Sequence, residues 1–253
     1  MRLTRPALLL LSAFLISIPV AAQQQPRKDP QALAILAQCQ AAMGASAGVR
    51  DTIAEGTIAF EGGSSGTITI KSKGVAQYRL DVTSNGKQVT NVFNGGTGHR
   101  QQDGKRTDLP VWVAQYQRPE HIPAFSRIAD FVLPNTNVAY VGLEDVGSRK
   151  AHHIWLWSLP TDGTPPEVEK LLSEFHVFID AESLLVVKTQ NYLFSPEIIE
   201  NRIPVENYYW DYRTVGGVAV PFRMVRVVSG KKHSEIVVTH VALNVGVADS
   251  DFQ

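Results

Sequence analysis

Apolar and polar residues alternate with a period of two through most of the sequence after Asp51, and this alternation limits the fold more than any other feature. In one such stretch, Ala76, Tyr78, Leu80 and Val82 alternate with polar neighbours. Successive side chains of a strand point to opposite faces, so the pattern predicts strands with one apolar and one polar face. Strands of this kind are typical of antiparallel sheets.

Short turns rich in glycine separate the alternating stretches. Such turns suit the left-handed backbone of tight hairpins, and their short spacing predicts a meander of antiparallel strands. The clearest are Asn85-Gly86, Asp103-Gly104, Gly147-Ser148, Gly216-Gly217 and Ser229-Gly230.

Three segments have helical rather than strand character. Asp29-Pro30 predicts an N-cap followed by proline in the first turn, and Gly44 is placed to end that helix. A middle helix is predicted from about Pro119 to Phe131, packed over the sheet, and a short one from Pro165 to Leu172. Strands with a few helices predict an α+β protein.

The first 28 residues are predicted to lie outside the folded domain. A basic start, an apolar run from Ala7 to Val20 and small residues up to Ala22 are typical of a secretory signal peptide over residues 1–22. Residues 23–28 are expected to be a flexible tail, and 29–253 a single domain. No second long apolar run follows, so we expect a periplasmic or secreted protein whose mature chain does not span a membrane.

Charge and cysteine content exclude several classes of protein. The 24 basic residues equal the 24 acidic ones, so the broad positive surface that nucleic acid requires is not expected. A single cysteine cannot form an internal disulfide or a cysteine-based zinc cluster. Cys39 falls on the apolar stripe of the first helix, which predicts a buried, unmodified thiol.

The sequence contains no motif typical of catalysis or cofactor binding. Gly95 to Gly98 lacks the Lys-Ser/Thr of a phosphate loop and is better explained as a hairpin or a bulge. His152 and His153 should point to opposite strand faces, so a shared metal with His176 is not expected. Ser195 lacks the flanking glycines of a nucleophile elbow. We therefore predict a non-catalytic protein without cofactor or metal.

Apolar and aromatic residues on the strands are the remaining unusual feature. Most must form an ordinary core, but a strongly curved sheet can leave a ligand cavity on its concave face. The predicted lid consists of Phe125, Ile128 and Phe131 of the middle helix. The predicted cavity wall consists of Ile58, Phe60, Ile70, Tyr78, Leu80, Phe93, Trp155, Trp210 and Phe222.

Two segments resemble a known family. The stretch from Tyr209 to Phe222 is similar to the Y-x-x-Y-x-x-V-x-G-V-x-x-P segment of outer-membrane lipoprotein-sorting-like proteins, and a helix ending in Ala41-Ala42-Met43-Gly44 precedes the first strand. The chain thus resembles the periplasmic lipoprotein-carrier superfamily, with the LolA/LolB-like fold. That resemblance implies a curved, unclosed antiparallel half-barrel whose concave face is capped by short helices and receives lipid.

The resulting hypothesis is an exported, non-catalytic binding protein for lipid or lipoprotein acyl chains, with an envelope protein as a further partner. The alternative is a periplasmic protein-interaction or sensor module on the same fold, with its core filled by its own side chains. An exported hydrolase is the third alternative, because catalytic pairs are often distant in sequence.

Overall fold

The structure is a computed structural model that describes residues 27–114, 116, 120–194 and 201–253. Within these residues, thirteen strands form a single antiparallel sheet. The strands are β1 (Asp51–Phe60), β2 (Ser65–Lys73), β3 (Gln77–Ser84), β4 (Lys87–Asn94), β5 (Thr97–Gln102), β6 (Lys105–Asp108), β7 (Thr136–Val146), β8 (Arg149–Ser158), β9 (Phe175–Asp180), β10 (Val186–Phe194), β11 (Arg202–Val215), β12 (Val218–Val228) and β13 (Lys231–Leu243).

The sheet is built almost entirely from strands that are neighbours in sequence. Its order is β6-β5-β4-β3-β2-β1-β13-β12-β11-β10-β9-β8-β7, so β6 and β7 are the two edges and the sheet does not close. The predicted meander and the curved, unclosed half-barrel are confirmed. The one pairing of distant strands joins β1 to β13 at the centre of the described sheet.

Helix α1 (Pro30–Ala42) forms as the sequence predicts. The Asp29 carboxylate accepts hydrogen bonds from the backbone N–H groups of Gln31 and Ala32, at 2.9 and 3.2 Å. Two N–H groups that would otherwise lack partners at the helix start are thereby satisfied. Gly44 follows the helix in the left-handed conformation, with φ of 72°.

A close backbone contact fixes the end of α1 against the hairpin between β11 and β12. The backbone N–H of Ala219 donates to the carbonyl of Met43 at 3.1 Å. A Cβ atom on Gly44 would lie 2.0 Å from the carbonyl oxygen of Gly217, so no side chain fits there. The glycine is needed both for its positive φ and for this approach.

One apolar cluster joins α1 to one face of the sheet, which we call the inner face. Leu36 and Cys39 of α1 are fully buried in it, together with strand residues such as Ile154 and Val177. The opposite, outer face is covered near its β1–β4 end by the C-terminal segment. There Phe252 packs with Val92, and Lys71 pairs with Asp251 at 2.6 Å.

The end of the expected N-terminal tail is attached to the sheet edge. The backbones of Arg27 and Asp29 hydrogen-bond to Val138 of β7, and the Lys28 ammonium donates to the carbonyls of Phe131 and Leu133. Arg27 and Lys28 therefore do not form a loose tail. The expected signal peptide at 1–22 and the tail residues 23–26 lie outside the described residues.

The predicted middle helix is wrong in type. Helix α2 (Val111–Ala114) is short, and 3₁₀ turns occupy Pro123–Phe125 and Arg127–Val132 where an α-helix was expected. Ser126 separates the two turns with an extended backbone, and its hydroxyl donates to the Pro123 carbonyl at 2.8 Å. Pro119 lies outside the described residues.

Helix α3 (Pro166–Ser173) follows β8, as predicted. None of the helices in the described ranges is long and apolar enough to cross a membrane.

Candidate functional site

The connection between the two edges of the sheet contributes to a cover over the inner face. Residues 109–135 connect β6 to β7, which are the opposite edges of the sheet. Ile122, Ala124 and Ile128 of this connection are buried in the same cluster as the inner face. Together with α1, the connection therefore covers the inner face.

The structure brings together the predicted wall residues other than the two tryptophans. Their side chains lie on the inner face and pack against the inner cluster or against one another. Ile58, Ile70 and Phe222 are buried in the inner cluster, Phe60, Tyr78 and Leu80 pack against it partly buried, and the Phe93 ring stacks on Tyr78 at 5.8 Å. Binding of a ligand by this wall remains a prediction.

Trp155 and Trp210 lie on the outer face instead. Ile154 and Leu156, the neighbours of Trp155 on β8, are the buried members of the inner cluster, so Trp155 points the other way. Its ring packs at 4.3 Å from Trp157, under the ammonium of Lys170.

The second tryptophan has equivalent surroundings on β11. Trp210 stacks on Tyr208 at 5.8 Å, beside the guanidinium of Arg223, whereas Tyr209 is buried in the inner cluster. The alternation of apolar residues predicts both tryptophans in the cavity wall, but β8 and β11 carry large apolar residues in both phases of that alternation. Size alone could not indicate which phase faces inward.

The predicted lid residues do lie over the inner face, although not on an α-helix. Ile128 is fully buried in the inner cluster, and Phe125 and Phe131 pack against it while remaining partly exposed. Since 3₁₀ turns hold their residues by few hydrogen bonds, this part of the cover is less firmly built than α1.

A polar cluster lies within the apolar inner face. The carboxylate of Glu120 accepts hydrogen bonds from two side-chain amides on adjacent strands, those of Asn191 on β10 (3.3 Å) and Asn207 on β11. Asn207 pairs across the sheet with Arg226 of β12. Burial raises the pKa of Glu120, while the positive charges of Arg226 and Arg127 oppose the increase.

A buried chain of hydrogen bonds continues from the residue next to Glu120. The His121 Nε2 atom is 3.0 Å from the Thr52 hydroxyl, which is 2.7 Å from the Ser72 hydroxyl. The His121 ring also stacks beside Tyr78. Burial lowers the pKa of His121 to about 4 and raises that of Tyr78 to about 12, so both rings are neutral at pH 7.

The sequence prediction missed this polar cluster, although part of it had a signal. Buried residues alternate with more exposed ones on both strands: Thr189 and Asn191 on β10, and Val205, Asn207 and Tyr209 on β11. An asparagine in the buried phase of a strand needs a polar partner, which could have indicated a site. Glu120 lies in a loop, where the sequence has no alternation of apolar and polar residues that could indicate its position.

The histidines considered as metal ligands form hydrogen bonds instead. On the outer face His153 is 2.8 Å from His176 and 2.7 Å from Glu144, while His176 is 3.0 Å from Glu174. His152 points to the other face and contacts the Tyr140 hydroxyl. Among the described residues, no group of three or more His, Cys, Asp or Glu is arranged to hold a metal ion. Ser195 lies outside the described residues.

Comparison with known proteins identifies the fold and nothing narrower. No protein-family model matches the sequence, and no curated protein matches it. The chain is similar to a crystal structure described as an outer membrane lipoprotein-sorting protein domain from Vibrio parahaemolyticus, with 12% identity, a TM-score of 0.55, and coverage of 88% of this chain and 96% of that one.

Two further solved structures agree with this assignment. A LolA superfamily protein from Nitrosomonas europaea is 12% identical with a TM-score of 0.52, covering 88% of this chain and 97% of its own. A DUF1329 family protein from Desulfovibrio piger is 11% identical with a TM-score of 0.55, covering 90% and 98%.

The fold and the covered inner face define an unclosed antiparallel half-barrel. More particularly, it is the LolA-like fold, as the resemblance implied.

Proposed function

We propose that this chain is an exported, non-catalytic protein that binds lipid or lipoprotein acyl chains on its inner face. The observation that carries the proposal is the apolar inner face of an unclosed sheet, covered by the connection between its own edges. Phe60, Tyr78 and Leu80 pack there against the core yet retain partial exposure. Apolar side chains that remain partly accessible beside a buried core favour an apolar ligand.

Two other observations support the proposal. A structure with the same fold is described as a lipoprotein-sorting domain, which favours a lipid-related role over an unrelated one. The signal-peptide pattern of residues 1–22 favours work in the periplasm or outside the cell. Sequencing of the mature N-terminus should give Gln23, and an intact Met1 on exported protein would contradict this part.

A charge on the cavity wall tests the binding site directly. Leu80→Asp should abolish binding of a fluorescent fatty acid, because it places a carboxylate where the acyl chain would lie. Val237→Asp is the matched control, since Val237 is 44% exposed on β13 and pairs across the sheet with Arg223, which lies beside Trp210 on the outer face. Circular dichroism would establish that both variants fold.

Equal binding of the fluorescent fatty acid by both folded variants would contradict the proposal. So would the absence of saturable binding by the wild-type protein and both variants. The readout must come from the probe or from native mass spectrometry of copurified lipid. Tryptophan emission is unsuitable, because Trp155 and Trp210 lie on the outer face.

A lid variant should have a different signature. Phe131 is partly exposed at the end of the cover, so Phe131→Ala should increase the rate of probe release while leaving binding detectable. Stopped-flow displacement measures that rate. A release rate equal to that of the wild type would mean that this part of the connection does not act as a lid.

A second candidate is the protein-interaction or sensor module with a filled core. The burial of Ile58, Ile70 and Phe222, between 2% and 7% exposed, favours it, because these side chains are covered by the protein's own residues. Purified protein that carries no lipid and binds no acyl probe would favour this candidate.

A further inference from the structure

The polar cluster at Glu120 has hydrogen-bonding capacity that the described residues do not use. Asn191 is 8% exposed, and its Oδ1 atom has no hydrogen-bond partner among them. His121 is 6% exposed, and its Nδ1 atom also has none in the described ranges. Buried polar atoms are rarely left in this state, because each loses its hydrogen bonds to water without a replacement.

The unused capacity is mainly that of an acceptor. The amide nitrogens of Asn191 and Asn207 both donate to Glu120, one to each carboxylate oxygen. A donor at each oxygen suits the ionised carboxylate, and it fixes the Asn191 amide with its Oδ1 atom turned away from Glu120. That atom can be satisfied only by a group that carries an O–H or N–H.

The cluster also adjoins the apolar wall. Glu120 remains partly accessible, and the ring of the next residue, His121, stacks on Tyr78 with the ring centroids 6.4 Å apart. Tyr78 belongs to the apolar wall and stacks on Phe93. An acyl chain along this wall would bring its headgroup to Glu120 and Asn191.

We propose that Glu120 and Asn191 select lipids with a neutral, hydroxyl-bearing headgroup over those with a free carboxylate. This inference rests on the proposed function. A glycerol hydroxyl can donate to Asn191 Oδ1 and to the carboxylate of Glu120. A fatty-acid carboxylate has no donor for Asn191 and is repelled by Glu120, which offsets its attraction to Arg226.

The test compares three lauroyl ligands of equal chain length with the wild-type protein, by calorimetry below their critical micelle concentrations. Monolauroylglycerol should bind about tenfold more tightly than laurate, the effect of one buried acceptor left without a partner. Methyl laurate, which has neither a charge nor a donor, should also bind more weakly than monolauroylglycerol. This comparison needs no variant.

A substitution then assigns the preference to the cluster. Glu120→Gln should reduce the ratio of the two affinities to near one, because its amide can donate to Asn191 Oδ1 and no longer repels laurate. Glu55→Gln, on the exposed outer side of β1, is the matched control and should keep the wild-type ratio.

Equal or tighter binding of laurate by the wild-type protein would overturn this inference while leaving the acyl-binding proposal intact. An unchanged ratio in folded Glu120→Gln would also overturn it. Absence of binding by all three ligands would refute the proposed function itself, and this inference with it.

Discussion

Acidification should destabilise the protein through His121. The ring is 6% exposed, between the covering connection and the sheet residues Thr52 and Tyr78, and burial lowers its pKa from 6.5 to about 4. In the unfolded chain the same imidazole is in water and has its ordinary pKa. Between these two values, the unfolded state binds a proton at this residue and the folded state does not.

The sign of the effect follows from proton linkage. Because the folded-state pKa is the lower one, the stabilising contribution is fully present above pH 6.5 and is lost as the pH falls. The loss stops near pH 4, where the folded state also takes up the proton. Each pH unit within that window changes the free energy of unfolding by about 1.4 kcal/mol.

The magnitude is therefore about 3 kcal/mol over the whole window, if His121 alone is considered. A domain is typically stable by only about 5–15 kcal/mol, so this is a large share. Carboxylates such as Glu174 and Asp180, whose pKa values are lowered in the folded state, also lose stabilising interactions on acidification. A comparison of variants separates their contribution from that of His121.

The measurement is urea unfolding followed by circular dichroism, at steps from pH 6.5 down to about 4. His121→Gln cannot take up the proton, yet its amide can still contact the Thr52 hydroxyl. It should be less stable than wild type at pH 6.5, having lost its stacking on Tyr78, but its stability should fall less steeply on acidification. His240→Gln is the control, because His240 is exposed on β13.

Parallel pH dependence for wild type and His121→Gln would refute the reasoning. It would mean that the imidazole takes up its proton equally well in both states, and so that it is not desolvated by the cover. A slope for His240→Gln as shallow as that for His121→Gln would do the same, because the control keeps His121 and should have the wild-type slope.

Two further substitutions follow from the structure. Cys39→Ala should lower the free energy of unfolding by about 1–2 kcal/mol, because it removes little volume from a fully buried site. Burial raises the pKa of the Cys39 thiol to about 12, so a thiol reagent should label it only after unfolding. Fast labelling of the native protein, or a lipid-sized mass on the Cys39 peptide, would contradict this. Gly44→Ala should lower the free energy of unfolding by about 2–3 kcal/mol, because φ is 72° and the added Cβ would lie 2.0 Å from the Gly217 carbonyl oxygen. Gly62→Ala is the control and should be less destabilising, because its Cβ has space around it. Equal unfolding midpoints for the two variants would show that the contact at Gly44 is not needed.

The sequence predicts the local elements of this fold well, because their causes are local. The Asp29 cap, the end of α1 at Gly44 and the hairpin at Gly216-Gly217 depend on a few adjacent residues. The alternation that identifies β3 also assigns Tyr78 and Leu80 to the inner side correctly. These predictions required no knowledge of which strands are neighbours.

The functional details could not be obtained in this way. The left-handed backbone at Asp211, with φ of 52°, interrupts the alternation in β11, so Tyr208 and Trp210 stack on the outer face while the Tyr212 hydroxyl donates to the Val186 carbonyl. The polar cluster joins a loop residue, Glu120, to strands more than 70 residues away. Such contacts depend on the assembled sheet, and no pattern along the chain reports them.

The pairing of β1 with β13 has a consequence for how the protein folds. The other strand pairs are hairpins or near neighbours, whereas β1 and β13 are joined across 184 residues of sequence. Contacts that close so long a loop form slowly, because the chain loses much entropy before they are made. The strands β1–β6 and β7–β13 can therefore form early as two separate hairpin arrays. The unpaired edge of the first array is β1, and that of the second is β13. Until β13 has been synthesised and has paired with β1, those edges remain open to pairing with other chains. The pairing of β1 with β13 is therefore the folding step most exposed to aggregation.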